Sequence, residues 1–468
     1  MTKITVSHLG LIDQAEIELA NLTIICGENN TGKTYITYLI YCLLTTWRHF
    51  IDLDLQQPLK ELRQQGIVKI DLQALVVNQW DTLCAKALKS FESQFPEMAA
   101  SQSDIYQGFH LGVDMPLSNT WQHKDYKREL RSAEGNLLLS MSKLADATEL
   151  EIASPTQESS LPGIALAEFI EERILELILS DIVPNTFIAS TERTGATIFR
   201  RQLNLALSNI VELLTQAHRD GADSVKPHKV FETLYSRHDY ALPVRRNVEY
   251  INQLPASNAD YGELSKQYPE LLTEFEGIAG GSYVTSKEGI TYFQPKNTRL
   301  KLGLGEASSS VRSLLILWYW LRFDAKPGDM LMLDEPELNL HPANQRRLAR
   351  FLAQLVNHRV SVFITTHSDY IIKEFNTMIM LAQRKPHTEK VREAQGYKID
   401  ELLAPAKVAL YMTGSKMESR QGRGKRTRVN TLIPAKIYPD QGIEVTTFDT
   451  TIEEMNSIQS EILYGGEL

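Results

Sequence analysis

A chain of 468 residues with 43% hydrophobic and 23% charged positions has room for two or three structural units and enough apolar material to bury their cores, which excludes a disordered chain. Lys and Arg total 49 against 58 for Asp and Glu, so the net charge is −9; this excludes a general polyanion binder and leaves nucleic acid only a local basic patch. The three cysteines, Cys26, Cys42 and Cys84, lack metal-ligand spacing and suit a reduced, cytoplasmic protein.

In chain order, residues 3–7 and 15–19 alternate apolar and polar side chains, with Ile4 and Val6, then Ile17 and Leu19, on one face. Both read as strands of a half-exposed antiparallel sheet. Residues 22–26 form a nearly unbroken apolar run, the pattern of a strand buried on both faces, and a helix is expected over 35–47. From about residue 51 to 181 helical periodicity dominates, at 72–95 and 166–179, which predicts a helical insertion with a loop at 153–162. An apolar strand at 184–190 resumes the sheet, followed by a helix at 199–218 and a hairpin over 282–293. Two short apolar strands, 330–333 and 360–365, alternate with helices, which predicts an α/β fold with a mostly parallel sheet. The apolar run at 314–321 is far short of the ~20 residues a membrane span needs, and the N-terminus lacks a signal-peptide pattern. Residues 390–468 read as a small α+β region with a basic loop and an amphipathic helix at 451–463.

Chemistry concentrates at the ends of the apolar strands. The first runs straight into Gly27-Glu28-Asn29-Asn30-Thr31-Gly32-Lys33-Thr34, the G-x-x-x-x-G-K-[ST] spacing of a phosphate loop. Glycines let the backbone curl until its N–H groups point at phosphate oxygens, at the positive end of a helix. Lys33 then reaches the outer phosphates and Thr34 ligates Mg²⁺. About 300 residues later, Met330-Leu331-Met332-Leu333 delivers Asp334 and Glu335 at a strand end, where α/β sheets bind ligands. Asp334 is the Mg²⁺-side acid and Glu335 the candidate general base for the attacking water. The third strand ends in Thr365-Thr366-His367-Ser368, which makes His367 a candidate γ-phosphate contact. Between them, Ser308, Ser309 and Ser310 open an apolar helix, as N-caps or as an anion contact offered to a second subunit.

Phosphate loop, serine-rich signature, Leu333-Asp334-Glu335-Pro336 and Thr365-Thr366-His367-Ser368, in that order, resemble the ABC-type P-loop ATPases of the RecF, SMC and OLD group. The resemblance covers roughly residues 1–50 and 180–385. It implies a head with a mixed N-terminal sheet and a parallel core sheet, divided as 1–50, a helical insertion 51–181, 182–389, and the 390–468 region. It implies ATP and Mg²⁺ as ligands, with Gly27, Asn30, Thr31, Gly32, Lys33 and Thr34 on phosphates. It also implies Thr34 and Asp334 on the metal, and Glu335, His367 and Lys33 in catalysis. Two heads are expected to close as a homodimer or higher oligomer, with Ser308 or Ser309 acting in trans. Ser310 stands where the family has glycine. Arg193, in Ser190-Thr191-Glu192-Arg193, resembles a segment of stand-alone members found in bacterial anti-phage operons such as PARIS or Septu, which makes it a candidate site residue.

The tail carries scattered acids (Asp400, Asp440, Asp449) rather than the spaced pair of a metal nuclease domain, so no intrinsic nuclease is expected. Its basic stretch, residues 420–428, offers Arg420, Arg423, Lys425, Arg426 and Arg428 to nucleic acid or an acidic partner. Two functions follow from the resemblance: an ATPase that controls a separate effector in anti-phage defence, or a RecF-like repair ATPase acting on DNA. Neither requires a membrane.

Overall fold

The computed structural model describes residues 2–101, 103–132, 134–154, 163–198, 240–287, 289–419, 426–444, 455 and 457–461. The expected helix at 199–218, most of the 153–162 loop, most of the 451–463 helix and the tip of the basic stretch lie outside the described residues.

The chain begins with β1 (Lys3–Leu9) and β2 (Ile12–Glu18), neighbours in a small sheet whose buried residues alternate with exposed ones. It then divides into two compact units. One comprises Met1–Thr5, Cys42–Phe95 and His110–Asn185; the other comprises Val6–Tyr41, Pro96–Phe109 and Thr186–Leu468.

The second unit is built on a six-stranded sheet. Its strands are β3 (Leu22–Cys26), which leads into helix α1 (Lys33–Thr46), then β4 (Thr186–Ala189), β5 (Met330–Asp334), β6 (Ser361–Thr366), β7 (Val408–Ser419) and β8 (Arg426–Pro434). The spatial order is β8-β7-β3-β6-β5-β4, and every pairing is parallel except β7 with β8. The registers Cys26 with Thr366 and Asp334 with Thr365 bring the C-terminal ends of β3, β6 and β5 together at one end of the sheet, while β7, paired at Met412 with Cys26, continues past them. All residues of β3 and β5 are buried, as their unbroken apolar sequences require, because helices cover a parallel sheet on both faces. Among the covering helices are α2 (Ser309–Tyr319), α3 (Pro342–Asn357) and α4 (Asp369–Leu381). The expected hairpin at 282–293 is present as Gly281–Thr285 paired antiparallel with Thr291–Pro295.

Two segments differ from the sequence reading. Residues 51–181 do contain helices, at Gln56–Gln65, Trp80–Met98 and Gly163–Leu179, but also an antiparallel sheet. Its order is Ile67–Asp71, Glu149–Ala153, Leu137–Lys143, Tyr126–Arg131. The outer strand, Tyr-Lys-Arg-Glu-Leu-Arg, is half-buried at best along its length and so lacks an alternating apolar signal. The 390–468 stretch, expected as a small region of its own, instead places β7 and β8 in the core sheet, with β7 directly beside β3. Among the described residues, no helix is long and apolar enough to cross a membrane.

Candidate nucleotide site

The loop after β3 owes its shape to three left-handed positions: Gly27 (φ 146°), Asn30 (φ 58°) and Gly32 (φ 99°). Left-handed positions in a loop let it curl so that backbone N–H groups can face an anion. Gly27 is required for space as well as conformation, since a Cβ there would collide with Thr413 Oγ1 of β7. Lys33 is the first residue of α1 and only 5% exposed. Its Nζ donates to the carbonyls of Gly27 (3.1 Å) and Glu28 (2.6 Å), so it lies over the loop that precedes it. Burial lowers its affinity for the proton, while Glu335 and Asp334 nearby oppose that shift. Thr34 and Asn30 are exposed, Thr31 half-buried; Thr31 Oγ1 donates to Glu28 O at 2.8 Å and is 2.7 Å from Thr413 Oγ1.

Asp334 ends β5 and is 1% exposed. Burial pushes its carboxyl up to about 6, against the hydrogen bond that the Thr365 hydroxyl donates to Oδ1. Oδ2 is buried with no partner. A buried carboxylate with one unsatisfied oxygen, at the strand end beside the phosphate loop, fits a divalent cation. Thr34 and Asp334 are the residues that would hold Mg²⁺, which would neutralise charge on the phosphates.

Glu335 turns out of the strand at φ 50°, a left-handed conformation unusual for a side chain other than glycine or asparagine. Its N–H donates to Thr365 O (3.2 Å) and Thr365 Oγ1 (3.1 Å). Its carboxylate oxygen Oε1 lies 2.8 Å from His367 Nε2, and that hydrogen bond holds the Glu335 carboxyl below its usual range. His367 Nδ1 is in turn 3.5 Å from Lys33 Nζ. His367 itself is fixed by Glu337, whose Oε1 accepts from the His367 N–H (2.6 Å) and the Thr366 hydroxyl (2.9 Å). Three strands thus deliver Lys33, His367, Glu335 and Asp334 to one place.

Arg193 is a buried residue rather than a surface one, 3% exposed, and its guanidinium donates to backbone carbonyls that include those of Asp334 and Glu335. Ser308 and Ser309 do not join the cluster in the same way. Ser308 is exposed and caps α2, accepting from Val311 N at 3.4 Å, while Ser309 Oγ accepts from Arg312 Nη2 at 3.1 Å. Of the basic stretch, residues 420–425 lie outside the described residues, and Arg428 donates to Ser415 Oγ at 2.8 Å on the exposed side of the β7–β8 pair.

Sequence reasoning named Thr365 only as part of the Thr365–Ser368 run, with no role of its own, and missed Thr413. Thr365 precedes a named motif residue by two positions, so its strand-end place was a usable signal; Thr413 carried none, being a lone threonine far along the chain.

Residues 1–155 match a family model described as an AAA ATPase domain, and residues 184–373 match one described as an AAA domain, putative AbiEii toxin, Type IV TA system. Two AAA-type ATPase domain models thus match separate parts of the chain. The first model spans the phosphate loop; the second spans Arg193, the α2 serines, Asp334, Glu335 and His367. No curated protein matches the chain. Solved structures similar to it include an SmcHead bound to the C-winged helix domain of ScpA, at 12% identity and TM-score 0.37, covering 96% of this chain and 98% of that one. An Smc head with an extended coiled coil, bound to the C-terminal domain of ScpA derived from Pyrococcus furiosus, has 12% identity and TM-score 0.33, covering 98% and 100%. The SMC head domain from Thermotoga maritima has 10% identity and TM-score 0.32, covering 93% and 98%. Likenesses this distant carry no functional argument.

Proposed function

We propose that this chain binds and hydrolyses ATP with Mg²⁺, and that nucleotide-dependent pairing of two heads controls a separate effector. The observation that carries the ATPase reading is the hydrogen-bonded series Lys33–His367–Glu335 beside the orphaned buried oxygen of Asp334. In this reading the Gly27–Thr34 loop and Lys33 hold the β- and γ-phosphates, Glu335 orients the attacking water and takes its proton, and His367 orients Glu335 while facing the γ-phosphate. Ser308 and Ser309 have hydroxyls at an exposed helix N-terminus, a geometry suited to the γ-phosphate of a nucleotide held by a second copy. The head would then comprise 1–50, 182–389 and the β7–β8 pair that completes its sheet, with 51–181 as the place for partner recognition. A model described by a toxin–antitoxin setting matches the second half of the site, which favours the effector-controlling, defence-type reading over direct action on DNA. The test is phosphate release by the purified chain with MgATP, together with its mass in solution with and without ATP. No turnover above background would remove the hydrolysis reading, and a mass unchanged by nucleotide would remove the pairing.

A further inference from the structure

Arg193 occupies a position that ion pairing alone does not explain. Its guanidinium makes four hydrogen bonds, all to backbone carbonyls and none to a carboxylate: Nε to Ser313 O (3.1 Å), Nη1 to Ser190 O (2.8 Å) and Asp334 O (2.7 Å), and Nη2 to Glu335 O (2.9 Å). Those carbonyls come from three places: Ser190, just after β4; Ser313, inside α2; and Asp334 and Glu335, the last residue of β5 and the one that follows it. The charge of the buried guanidinium is balanced at longer range by Asp334, Glu337, Glu335 and Glu192. A planar fork of donors suits such a clamp, and a lysine ammonium, a point charge on a flexible stem, does not reproduce it.

What the fork holds at one end is the strained point of the site. A left-handed, non-glycine residue is strained and persists only where its surroundings over-determine it. At Glu335 they do: Thr365 takes the N–H and Arg193 takes the carbonyl. At the other end the fork holds Ser313, which lies in α2 five residues after the capping Ser308. A helix moves as a stiff element, so a displacement of its N-terminus reaches the Ser313 carbonyl and, through one side chain, the Glu335 backbone.

We propose that Arg193 is a positioning residue that couples the N-terminus of α2 to Glu335, so that engagement of Ser308 by nucleotide sets the carboxylate for hydrolysis. This rests on the ATPase reading above. The experiment compares wild type with Arg193→Lys, Arg193→Gln, Ser308→Ala and the Arg193→Lys/Ser308→Ala double variant. It measures kcat, KM, equilibrium ATP affinity and thermal unfolding for each. The expected result for Arg193→Lys is ATP affinity within about threefold of wild type and a kcat about 100-fold lower, the scale on which misplaced catalytic groups cost rate. Once the coupling is cut, Ser308→Ala should cost kcat little more in the double variant. A wild-type kcat in Arg193→Lys, or losses that simply multiply in the double variant, overturns the coupling. Should Arg193→Lys unfold, Arg193→Gln, which keeps a two-donor amide, is read by the same criteria. Wild-type protein without turnover overturns the ATPase reading itself, whereas turnover insensitive to Arg193 overturns only this inference.

Discussion

At the scale of single residues, the site depends on charges held where burial opposes them. Lys33 has its Nζ on two carbonyls of the phosphate loop; burial lowers its affinity for the proton, and the acids close by oppose that shift. Lys33→Ala is expected to weaken ATP binding by more than tenfold, since a charge-assisted contact to phosphate is among the stronger hydrogen bonds; titration calorimetry giving wild-type affinity would count against the cradle. Glu335→Gln removes the proton acceptor but keeps the side chain's shape and its neighbour His367. Affinity should then stay within a few-fold while turnover falls by about 10²–10⁴, the usual worth of a general base. Unchanged phosphate release by that variant would remove Glu335 from the base role. The motif residues were legible because phosphate-loop and acidic-strand chemistry is encoded in short contiguous runs. Arg193 was legible only as a candidate: four carbonyls from three separated segments are what make it a clamp, and no local pattern contains them.

At the scale of elements, the legible strands were those whose burial on both faces demands an unbroken apolar run: β3, β5 and β6. The partnership of β3 with β7 was not legible, because pairing across the length of the chain leaves no local trace in either strand. It nevertheless shapes the phosphate loop. Thr413 of β7 accounts for the lack of room at Gly27, where φ is also in the region that side chains avoid. Gly27→Ala is therefore expected to cost ~1–3 kcal/mol for conformation alone, plus the displacement of β7. Adding Thr413→Ala should recover part of the loss, by removing the Oγ1 that the new Cβ meets, but not the conformational part. Thermal unfolding of the single and double variants decides this; a double variant no better than Gly27→Ala would mean that Thr413 does not crowd the loop. The antiparallel sheet within residues 51–181 escaped for a different reason: an outer strand with polar residues on both faces looks like surface, whatever its backbone does.

At the scale of the whole molecule, each unit carries its own buried aromatics. In the first, Trp47 meets Trp80 edge-on at 5.9 Å between ring centroids and Phe91 stacks on Phe95 at 5.8 Å. In the second, Phe351, Phe363 and Phe375 are buried around the sheet. Every residue assigned to the nucleotide site belongs to the second unit. Removing a buried Phe ring costs ~3–5 kcal/mol wherever it lies, because the cavity collapses only partly. The functional consequence should differ with position. Phe363 lies inside β6, two residues before Thr365 and four before His367, so a cavity there loosens the strand that delivers both. Phe91 packs in the first unit, to which none of the residues assigned to the proposed site belongs. Phe363→Ala and Phe91→Ala are thus expected to lower thermal stability by similar amounts. At a temperature where both remain folded, Phe363→Ala should lower turnover by at least tenfold, whereas Phe91→Ala should leave ATP affinity and turnover within about twofold of wild type. Thermal unfolding followed by phosphate-release kinetics on the two variants separates the cases. Equal loss of turnover in both would mean that the catalytic geometry depends on the first unit's core as well as on the sheet that carries it.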